Sequence, residues 1–351
     1  MKLPKLQDLK VGGKIVLVRV DLDMPLVDVE NKQDRTHEFK VLDDSRLRTA
    51  IPTIKLLLDK GAEHVLIMGH IGKLKVSSFC LYPVLNKLLG ERMSFWGEET
   101  INSGKRFKAD PTEDGRVHLM ENLRLFEGEE ENDPVFAKKL ASLGDIYINE
   151  SFADSHRAHA SIVGLPKLLP HAAGLHLMEE IENLSKVLEK PKSPVVFIIG
   201  GAKSDKVQYI DKLLDRVDWV LVGGLLPRMV ESYCRDDNKI CVIAAKLTPE
   251  GKDIDEASST NFAAICANAG TIAWNGPLGQ YEEAEFKRGT EVVAQAVAES
   301  EAFKVVGGGD TIACLQNLGI LSKMNWVSTG GGAMLQFLAE GDLPGLKALR
   351  N

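Results

Sequence analysis

The length, composition and charge of this chain exclude several classes of protein. It has 351 residues, of which 44% are hydrophobic, 26% charged and 6% aromatic, and its formal net charge is -7. This composition is typical of a globular protein, and the length favours two domains. An acidic chain lacks the excess of Lys and Arg that neutralises a nucleic-acid backbone, which excludes a general nucleic-acid binder.

The cysteines and the N-terminus indicate the cellular setting. The cysteines are scattered, form no CxxC pair and lack zinc-type spacing with histidine, so we expect reduced thiols. They are Cys80, Cys234, Cys241, Cys266 and Cys314. The N-terminal residues lack the apolar run of a signal peptide, and no segment is long and apolar enough to span a bilayer. We therefore expect a cytoplasmic protein with neither a membrane nor a nucleic acid as partner.

Short apolar runs recur along the chain and end in polar or glycine-rich loops. In the first half they are Ile15–Val20, Val65–Met68, Val117–Met120 and Ile146–Ile148. In the second half they are Val195–Ile199, Val217–Val222, Thr271–Trp274, Phe303–Val306 and Trp326–Val327. Runs of this length, rich in Val and Ile, are typical of strands buried on both faces of a parallel sheet.

Stretches with helical spacing lie between these runs. The predicted helices are Leu47–Asp59, Phe136–Leu143, Val207–Leu214 and Gly289–Ala298. Strands that alternate with helices predict an α/β fold with two doubly wound, Rossmann-like parallel-sheet domains. A longer predicted helix, Leu175–Leu188, lies between the two series and would join the domains as a hinge.

These elements predict where the domains begin and end. We expect an N-terminal domain over residues 1–172, an interdomain helix over 173–190 and a second domain over 191–329. The C-terminal segment 330–351 is expected to pack back near the first domain.

Charged side chains and a histidine follow the strands of the first half. Ligands of open parallel sheets bind beyond the carboxyl ends of the strands, where the loops converge. Arginine offers a planar pair of donors that phosphate and carboxylate accept, so we predict a cationic pocket for a small phosphorylated carboxylate. Any one of these arginines alone is more simply a surface or domain-packing residue. The side chains are Asp21, Asp23, Arg46, His70, Lys73, Arg124 and Arg157.

The HRAH sequence in the first half could instead form a metal site, because His156 and His159 lie three residues apart. No matching carboxylate or cysteine accompanies them on a convincing helix, and Arg157 lies between them. We favour a hydrogen-bonded loop in which Arg157 is the active member.

Glycine-rich loops follow the strands of the second half. They read IIGGAKSDK, LVGGLL, WNGPLG, VVGGGDT and VSTGGGA. Glycine lets backbone N–H groups approach an anion closely, and the helix that follows directs its positive end at the anion. Lys203 and Lys206 add positive charge, and Asp310 is suited to hold Mg²⁺ together with phosphate oxygens and water. Neither a Walker A motif nor GxGxxG occurs, so the loops predict another kind of Mg-nucleotide site.

The two halves together predict phosphoryl transfer between a small acid and a nucleotide. Phosphoryl transfer requires little covalent chemistry from the protein. It requires in-line placement of the reactants, positive charge around the moving phosphoryl group and exclusion of water.

A series of motifs resembles, in the same order, the signatures of phosphoglycerate kinases. They are RVDLDMPL (Arg19–Leu26), PTIKLLL (Pro52–Leu58), GHIGK, ENLR, SHRAHAS (Ser155–Ser161), GGAKSDK, WNGP, FKRGT, GGGDT and STGGGA. The similarity extends from about residue 12 to the C-terminus. The set is highly specific, because so many motifs do not occur in one order by chance.

This resemblance implies a monomeric kinase that moves a phosphoryl group between 1,3-bisphosphoglycerate and ADP, giving 3-phosphoglycerate and ATP with the help of Mg²⁺. The charged residues of the first half would bind the phosphoglycerate, and Lys203 and Arg46 would be catalytic. Asp310 would hold the magnesium. The residues expected at the nucleotide are Gly201, Lys203, Lys206, Gly223, Asn275, Pro277, Glu282, Gly308, Gly309, Asp310 and Thr311.

Single positions depart from the family pattern. Asp23 replaces the usual Asn and puts an anion beside an anionic substrate, while Lys73 replaces Arg and loses its paired donors. The lysine loop GGAKSDK is one residue shorter than usual, so Lys203 and Lys206 are three residues apart. On an α-helix that change rotates one side chain by about 100°.

Segment lengths depart from the pattern as well. The stretch from Gly224 to Trp274 is a few dozen residues shorter than the family norm and lacks the Leu-Asp-Ile-Gly-Pro segment that lines the adenine pocket. The loop Val27–Asp44 is longer and more charged than usual. Two alternatives therefore stay open: a homologue that binds phosphate or nucleotide without turnover, and a kinase for another acyl phosphate or nucleotide.

Overall fold

The chain forms two compact units. The computed structural model describes residues 1–31, 36–72, 76–101, 104–109, 115–235 and 240–351. One unit comprises Met1–Glu179 with Pro344–Asn351, and the other comprises Glu180–Leu343. The division falls inside the helix Leu175–Glu189, which occupies the position predicted for the hinge helix. Within the segment 330–351, only the last eight residues belong to the first unit.

The first unit is built on a seven-stranded sheet within the described residues. Its strands and one separate hairpin, β2–β3, are β1 (Ile15–Arg19), β2 (Leu26–Asn31), β3 (Thr36–Val41), β4 (His64–Met68), β5 (Met93–Ile101), β6 (Gly104–Ala109), β7 (Val117–Met120), β8 (Ile146–Asn149) and β9 (His171–Ala173). The strand order is β6-β5-β7-β4-β1-β8-β9. All neighbours are parallel except the β5–β6 pair.

Helices cover this sheet, and the strand ends define one edge. The helices of this unit are α1 (Ser45–Asp59), α2 (Tyr82–Leu89) and α3 (Pro134–Ala141), and α4 (Leu175–Glu189) continues from this unit into the second. Strand β1 lies at the centre, and its Val16, Leu17 and Val18 are fully buried because both faces of the sheet are covered. Since β1, β4, β7 and β8 are parallel, the loops that follow them leave from the same edge.

The second unit contains another seven-stranded sheet among its described residues. Its strands are β10 (Val195–Ile199), β11 (Trp219–Val222), β12 (Tyr233–Arg235), β13 (Ile240–Ala244), β14 (Thr271–Asn275), β15 (Phe303–Gly307) and β16 (Trp326–Ser328). The order is β12-β13-β11-β10-β14-β15-β16, and only β12 runs antiparallel to its neighbour.

The remaining helices complete the two units. They are α5 (Ile210–Leu213), α6 (Glu256–Ala267), α7 (Arg288–Glu299), α8 (Gly309–Asn317) and α9 (Gly331–Glu340) in the second unit, and α10 (Pro344–Ala348) in the first. Within the described ranges, no helix has the length and apolar character needed to cross a membrane.

The predicted fold class, α/β with two mainly parallel sheets, is confirmed, although several elements escaped prediction. The β5–β6 hairpin was missed because β6 (GKRFKA) and the second half of β5 (MSFWGEETI) are mostly polar and lack the continuous apolar run of a strand buried on both faces. The helix predicted at Val207–Leu214 was wrong in its first half. There the chain forms a 3₁₀ turn over Ser204–Tyr209 before α5 begins.

The expectation that all cysteines are reduced was also wrong. Cys234 and Cys241 form a disulfide across the antiparallel β12–β13 pair, where the two residues lie directly opposite each other with their Cα atoms 4.1 Å apart. Their spacing of seven residues carries no CxxC signal, and the pairing arises only when the hairpin brings them together. The other cysteines, Cys80, Cys266 and Cys314, are free thiols.

This pairing predicts a simple thiol count. All five cysteines lie in described positions, so alkylation of the unfolded, unreduced protein should modify three thiols, and alkylation after reduction should modify five. Mass spectrometry of the intact chain measures both numbers. Five modified cysteines without reductant would contradict the disulfide.

Candidate functional site

Asp21, Asp23 and Arg46 lie together beyond strand β1 in the first unit. The Arg46 guanidinium donates to Asp21 Oδ2 at 3.1 Å and to the Asp23 carbonyl oxygen at 3.0 Å. Burial raises the pKa of Asp21 to about 7, and the positive charge of Arg46 acts in the opposite direction. The Arg46 side chain remains 30% exposed, so part of its guanidinium is accessible to an anion.

The GHIGK loop after β4 connects Asp23 to Arg124. Asp23 Oδ1 accepts a hydrogen bond from the Gly72 backbone N–H at 2.6 Å, and the Gly72 carbonyl accepts one from Arg124 Nη1. Arg124 also pairs through Nε with Glu130 at 3.1 Å. One oxygen of the Asp23 carboxylate therefore holds this loop. An Asn amide oxygen would accept the same bond, so this contact does not explain the departure from Asn. Lys73, predicted in the same loop, lies outside the described residues.

Arg157 follows strand β8 and is exposed. Its backbone N–H donates to the Asp154 carbonyl at 2.9 Å, and the neighbouring His156 ring bonds to the Ala153 carbonyl at 2.7 Å, so the HRAH segment begins as a hydrogen-bonded loop. Burial lowers the pKa of Arg124, and the charge of Arg157 acts in the same direction. The guanidinium groups of Arg124 and Arg157 therefore lie within electrostatic reach of each other.

His70 lies in the interior of the first unit, with 1% of its surface exposed. Its Nδ1 is 2.7 Å from Arg19 Nη2, and its Nε2 is 3.4 Å from Asp154 Oδ1. Because a guanidinium only donates, Nδ1 is the acceptor and Nε2 carries the hydrogen. Burial lowers the pKa of His70 to about 3, so the ring is neutral. Both ring nitrogens are thus engaged within the protein, and a direct contact with substrate would require one of these interactions to break.

A buried ionic network supports His70, and the sequence did not reveal it. Arg19 is fully buried and contacts Asp154 Oδ2 at 3.0 Å and Ser161 Oγ at 2.9 Å. Ser161 in turn donates to the buried Glu129, from Oγ at 2.6 Å and from its backbone N–H at 3.0 Å. The available signal was Arg19 itself, a charge within a strand buried on both faces, since such a charge requires partners.

The glycine-rich loops of the second unit pack backbone against backbone at the carboxyl edge of the sheet. A Cβ on Gly276 would overlap the Gly200 carbonyl oxygen, and a Cβ on Gly224 would overlap the backbone of Gly201. Gly276 also has a φ of +100°, a conformation that side chains disfavour. Glycine is therefore required at these positions for the loops to approach one another.

Lys206 extends into this glycine cluster. Its Nζ donates to the Gly200 carbonyl at 2.8 Å and lies 3.4 Å from the Asn275 carbonyl. Lys203, at the N-cap of the 3₁₀ turn, is exposed. Because Lys203 has an extended backbone and only Lys206 lies within the 3₁₀ turn, the 100° rotation expected for two residues of an α-helix does not apply. Burial lowers the pKa of Lys206 to about 8, and the charge of Lys203 adds to this effect.

Two of the predicted nucleotide residues brace the loops. The fully buried Thr311 accepts a hydrogen bond from the Gly276 N–H at 2.7 Å, and Asn275 Nδ2 donates to the Gly331 carbonyl at 2.8 Å. The start of α8 is open, since a Cβ on Gly309 would meet nothing within 4 Å. Its N-terminal amides are therefore accessible to an anion.

Several predicted residues line one cavity of about 190 Å³ in the second unit. Gly201, Pro277, Glu282 and Asp310 all belong to its wall. The other lining residues are Ala202, Gly224, Leu225, Lys252, Gly279 and Gln280. Sequence reasoning did not point to Lys252, which comes from the shortened segment. Two glycines predicted outside this wall, Gly223 and Gly308, directly follow strands β11 and β15, which are separated in the sheet by β10 and β14.

The residues present suit a magnesium ion that arrives with the nucleotide. Asp310 is exposed in the first turn of α8 and offers one carboxylate. Among the described residues there is no cluster of three or more His, Cys, Asp or Glu side chains that would form an all-protein cage. Magnesium is commonly bound by one or two carboxylates with phosphate oxygens and water, so this donor set fits the ion.

Lys206 predicts a pH dependence of nucleotide binding. The groups that act on its ammonium are Lys203, Asp310 and Asp205, and the net effect with burial is a pKa of about 8. Below that pH the ammonium is charged and suited to a phosphate, whereas above it the charge is lost. We expect calorimetric affinity for ADP to fall about tenfold between pH 7 and 9.5, the worth of one charge-assisted hydrogen bond. Lys206→Arg, which stays charged, should flatten this profile, and an equally steep fall in that variant would contradict the assignment.

Comparison with known proteins identifies the family. The family model described as phosphoglycerate kinase matches residues 6–234 and 228–341. The chain is 38% identical to the phosphoglycerate kinase of Moorella thermoacetica over 397 aligned positions, covering 98% of each chain. It is 36% identical to that of Herpetosiphon aurantiacus over 407 positions, covering 100% of each. Both alignments are longer than the 351 residues of this chain, so both relatives carry residues that it lacks.

Solved structures agree with this relationship. The phosphoglycerate kinase of Coxiella burnetii superposes with a TM-score of 0.78 at 31% identity, covering 99% of each chain. That of Pyrococcus horikoshii OT3 superposes with a TM-score of 0.77 at 28% identity, covering 99% of this chain and 98% of the other. With a matching family model and relatives above 30% identity along its whole length, the chain belongs to the phosphoglycerate kinase family.

Proposed function

We propose that this protein is an active phosphoglycerate kinase. It transfers a phosphoryl group reversibly between 1,3-bisphosphoglycerate and ADP, giving 3-phosphoglycerate and ATP, and so uses a carboxyl group as acceptor. The observation that carries the proposal is that one chain combines an arginine-rich strand edge in its first unit with a lysine-bearing glycine cluster in its second. A protein that only binds nucleotide does not need the arginine-rich strand edge of the first unit.

In the first unit the substrate is held by charge. Arg46, Arg124 and Arg157 supply guanidinium groups for its phosphate and carboxylate, and Lys73 adds a further cation. Asp21 orients Arg46 through their 3.1 Å contact. His70, with both ring nitrogens engaged, acts by supporting the loops, and this replaces the direct contact expected from the resemblance.

In the second unit the nucleotide is held mainly by backbone. Glycine amides and the open start of α8 bind its phosphates, while Lys206 adds charge from within the glycine cluster. Lys203, exposed beside them, stabilises the transferring phosphoryl group. Magnesium, held by Asp310 and phosphate oxygens, neutralises charge on the nucleotide when bound. We propose that the enzyme works as a monomer in the cytoplasm.

Turnover is the direct test of this function. The purified chain should form ATP from 1,3-bisphosphoglycerate and ADP in the presence of Mg²⁺. Arg46→Ala should lower kcat and raise KM for 1,3-bisphosphoglycerate, because Arg46 is assigned both a catalytic and a substrate-binding role, while ADP binding stays unchanged. No product at high enzyme concentration, together with measurable ligand affinity, would instead identify a binding protein without turnover. Rapid product formation only from another acyl phosphate would overturn the substrate assignment.

A further inference from the structure

Asp21 is a buried carboxylate that depends on a shared cation. Only 7% of its side chain is exposed. Its Oδ2 accepts a hydrogen bond from Arg46 Nη1 at 3.1 Å, and the same nitrogen donates to the Asp23 carbonyl oxygen at 3.0 Å. Its Oδ1 accepts from the Asp23 backbone N–H at 3.0 Å. Among the described residues, the ion pair with Arg46 is the one that compensates the charge of Asp21.

Two further carboxylates act on Asp21 from different loops. Asp23 belongs to the same loop after β1, and Asp154 belongs to the loop after β8. Burial is the main reason that the pKa of Asp21 is raised to about 7, and the negative charges of Asp154 and Asp23 act in the same direction. The positive charge of Arg46 opposes them. The ionised form of Asp21 therefore depends on an undivided Arg46.

The basic groups of the neighbouring loops do not take the place of this cation. His70, after β4, is neutral, because burial lowers its pKa to about 3. Arg124, after β7, pairs with Glu130 at 3.1 Å, and Arg157, after β8, is exposed. Within the part of the chain that the structure describes, these groups form no ion pair with Asp21.

Asp21 is a better proton acceptor than Asp154. The Asp154 carboxylate contacts the buried Arg19 at 3.0 Å and accepts from the Ser151 hydroxyl at 2.7 Å, so its pKa lies well below the usual range. Asp21 has only the partly exposed Arg46 as its cation among the described residues. A proton that enters this group of carboxylates therefore goes to Asp21.

An anion at Arg46 changes the balance at Asp21. Both described contacts of the guanidinium use Nη1, and the side chain is 30% exposed, so the rest of the group can meet a ligand. The proposed function places an anionic group of the phosphoglycerate there. Such a ligand brings negative charge close to Asp21 and shares the charge of Arg46. Because a nearby like charge disfavours the ionised form of a carboxyl, Asp21 must hold a proton more tightly in the complex than in the free protein.

We propose that Asp21 is the proton acceptor of the substrate site, so that phosphoglycerate binds together with one proton from solvent. The proton forms an O–H bond on the Asp21 carboxylate, which becomes neutral, and it returns to solvent when the ligand leaves. Neutral Asp21 can donate as well as accept, and it leaves the charge of Arg46 to the ligand. The negative charge of Asp23, where Asn is usual, favours this protonation. The inference rests on the proposed function for the identity of the ligand.

Calorimetric titration with 3-phosphoglycerate at pH 8, in buffers of different ionisation enthalpy, counts the protons taken up. A phosphate monoester has a second pKa of about 6, so the ligand itself is already ionised at this pH. If the ligand raises the proton affinity of Asp21 tenfold from a pKa of about 7, binding takes up about 0.4 proton at pH 8. Since binding takes up protons, affinity falls as the pH rises, and Kd should increase about fivefold between pH 7 and pH 9.

Three variants assign the proton. Asp21→Asn keeps an oxygen for the Asp23 N–H but cannot titrate, so proton uptake should disappear and Kd should change less than twofold between pH 7 and pH 9. Asp23→Asn keeps the backbone contacts to Asp21 and Arg46 and removes one charge, so uptake at pH 8 should fall to less than half. Asp59→Asn, an exposed substitution at the other end of α1, is the control and should leave the proton count unchanged.

Several results would overturn the inference. Binding without proton uptake by the unaltered chain would do so, and so would undiminished uptake in Asp21→Asn, which would place the proton on another group. An unchanged count in Asp23→Asn would overturn the role given to Asp23. If 3-phosphoglycerate binds with proton uptake but turnover is absent, the kinase assignment fails alone. If turnover occurs without proton uptake, only this inference fails, and if 3-phosphoglycerate does not bind, both fail.

Discussion

Replacement of Lys203 by alanine should lower kcat for ATP formation by about 10²–10³-fold. A cation fixed beside the moving phosphoryl group stabilises charge that develops in the transition state, and the loss of one such group typically has this effect. Lys203 is exposed at the N-cap of the 3₁₀ turn, so its removal should leave the protein folded and ADP affinity within a few-fold of the original. Steady-state kinetics with calorimetric ADP titration measures the two quantities separately.

Controls make the Lys203 result specific. Lys190→Ala removes another exposed lysine of the second unit and should leave kcat unchanged. Lys203→Arg keeps the charge and should recover part of the rate. A Lys203→Ala enzyme with kcat within threefold of the original would show that this side chain is not catalytic.

Asp154→Asn should reduce the free energy of unfolding by about 3–5 kcal/mol, the usual cost of removing one partner from a buried ion pair. Arg19 is fully buried, and its contact with Asp154 at 3.0 Å is the ion pair that compensates its charge. Asp154 Oδ2 also accepts from the Ser151 hydroxyl, and Oδ1 faces His70 Nε2, so an Asn amide, with one oxygen, cannot serve both sides. Urea unfolding followed by circular dichroism at pH 7 measures the loss.

The pH dependence separates this effect from a simple packing defect. Burial alone would raise the pKa of Asp154, but the charge of Arg19 outweighs it and the pKa lies well below its usual range. A carboxyl with a depressed folded pKa stabilises above its unfolded pKa of about 3.9 and loses that contribution as the pH falls through the folded value. The difference between Asp154→Asn and the original chain should therefore shrink below about pH 4. Asp59→Asn, an exposed substitution at the end of α1, serves as the control and should leave the free energy of unfolding unchanged. A similar loss of stability in that variant, or a loss in Asp154→Asn that does not vary with pH, would contradict the ion-pair explanation.

Most strands with two neighbours could be predicted from the sequence, whereas of the four edge strands only β16 was predicted. A strand such as Ile15–Arg19 is covered on both faces, so every side chain is apolar until its end and the run stands out. The edge strands β6 and β12 have one neighbour each, and their residues read as loop. The disulfide across β12 and β13 was also not predicted, because its cysteines meet only when this hairpin, which the sequence did not reveal, forms.

The sequence indicated which kinds of side chain would lie at the strand ends, but not which contacts each side chain would make. Charged side chains and glycines at strand ends indicate binding because parallel strands bring their carboxyl ends to one edge. The same pattern does not reveal that His70 is buried between Arg19 and Asp154, since burial depends on neighbours distant in the chain.

The sequence by itself determined that two mainly parallel sheets form and that charged or glycine-rich loops follow their strands, because the spacing of apolar residues and the residues beside them are local properties. Only the tertiary structure decided that Asp23 holds the Gly72 loop and that Lys252 lines the cavity of the second unit. These roles arise from hydrogen bonds and packing between segments far apart in the chain, and no local pattern encodes which partner a side chain will meet.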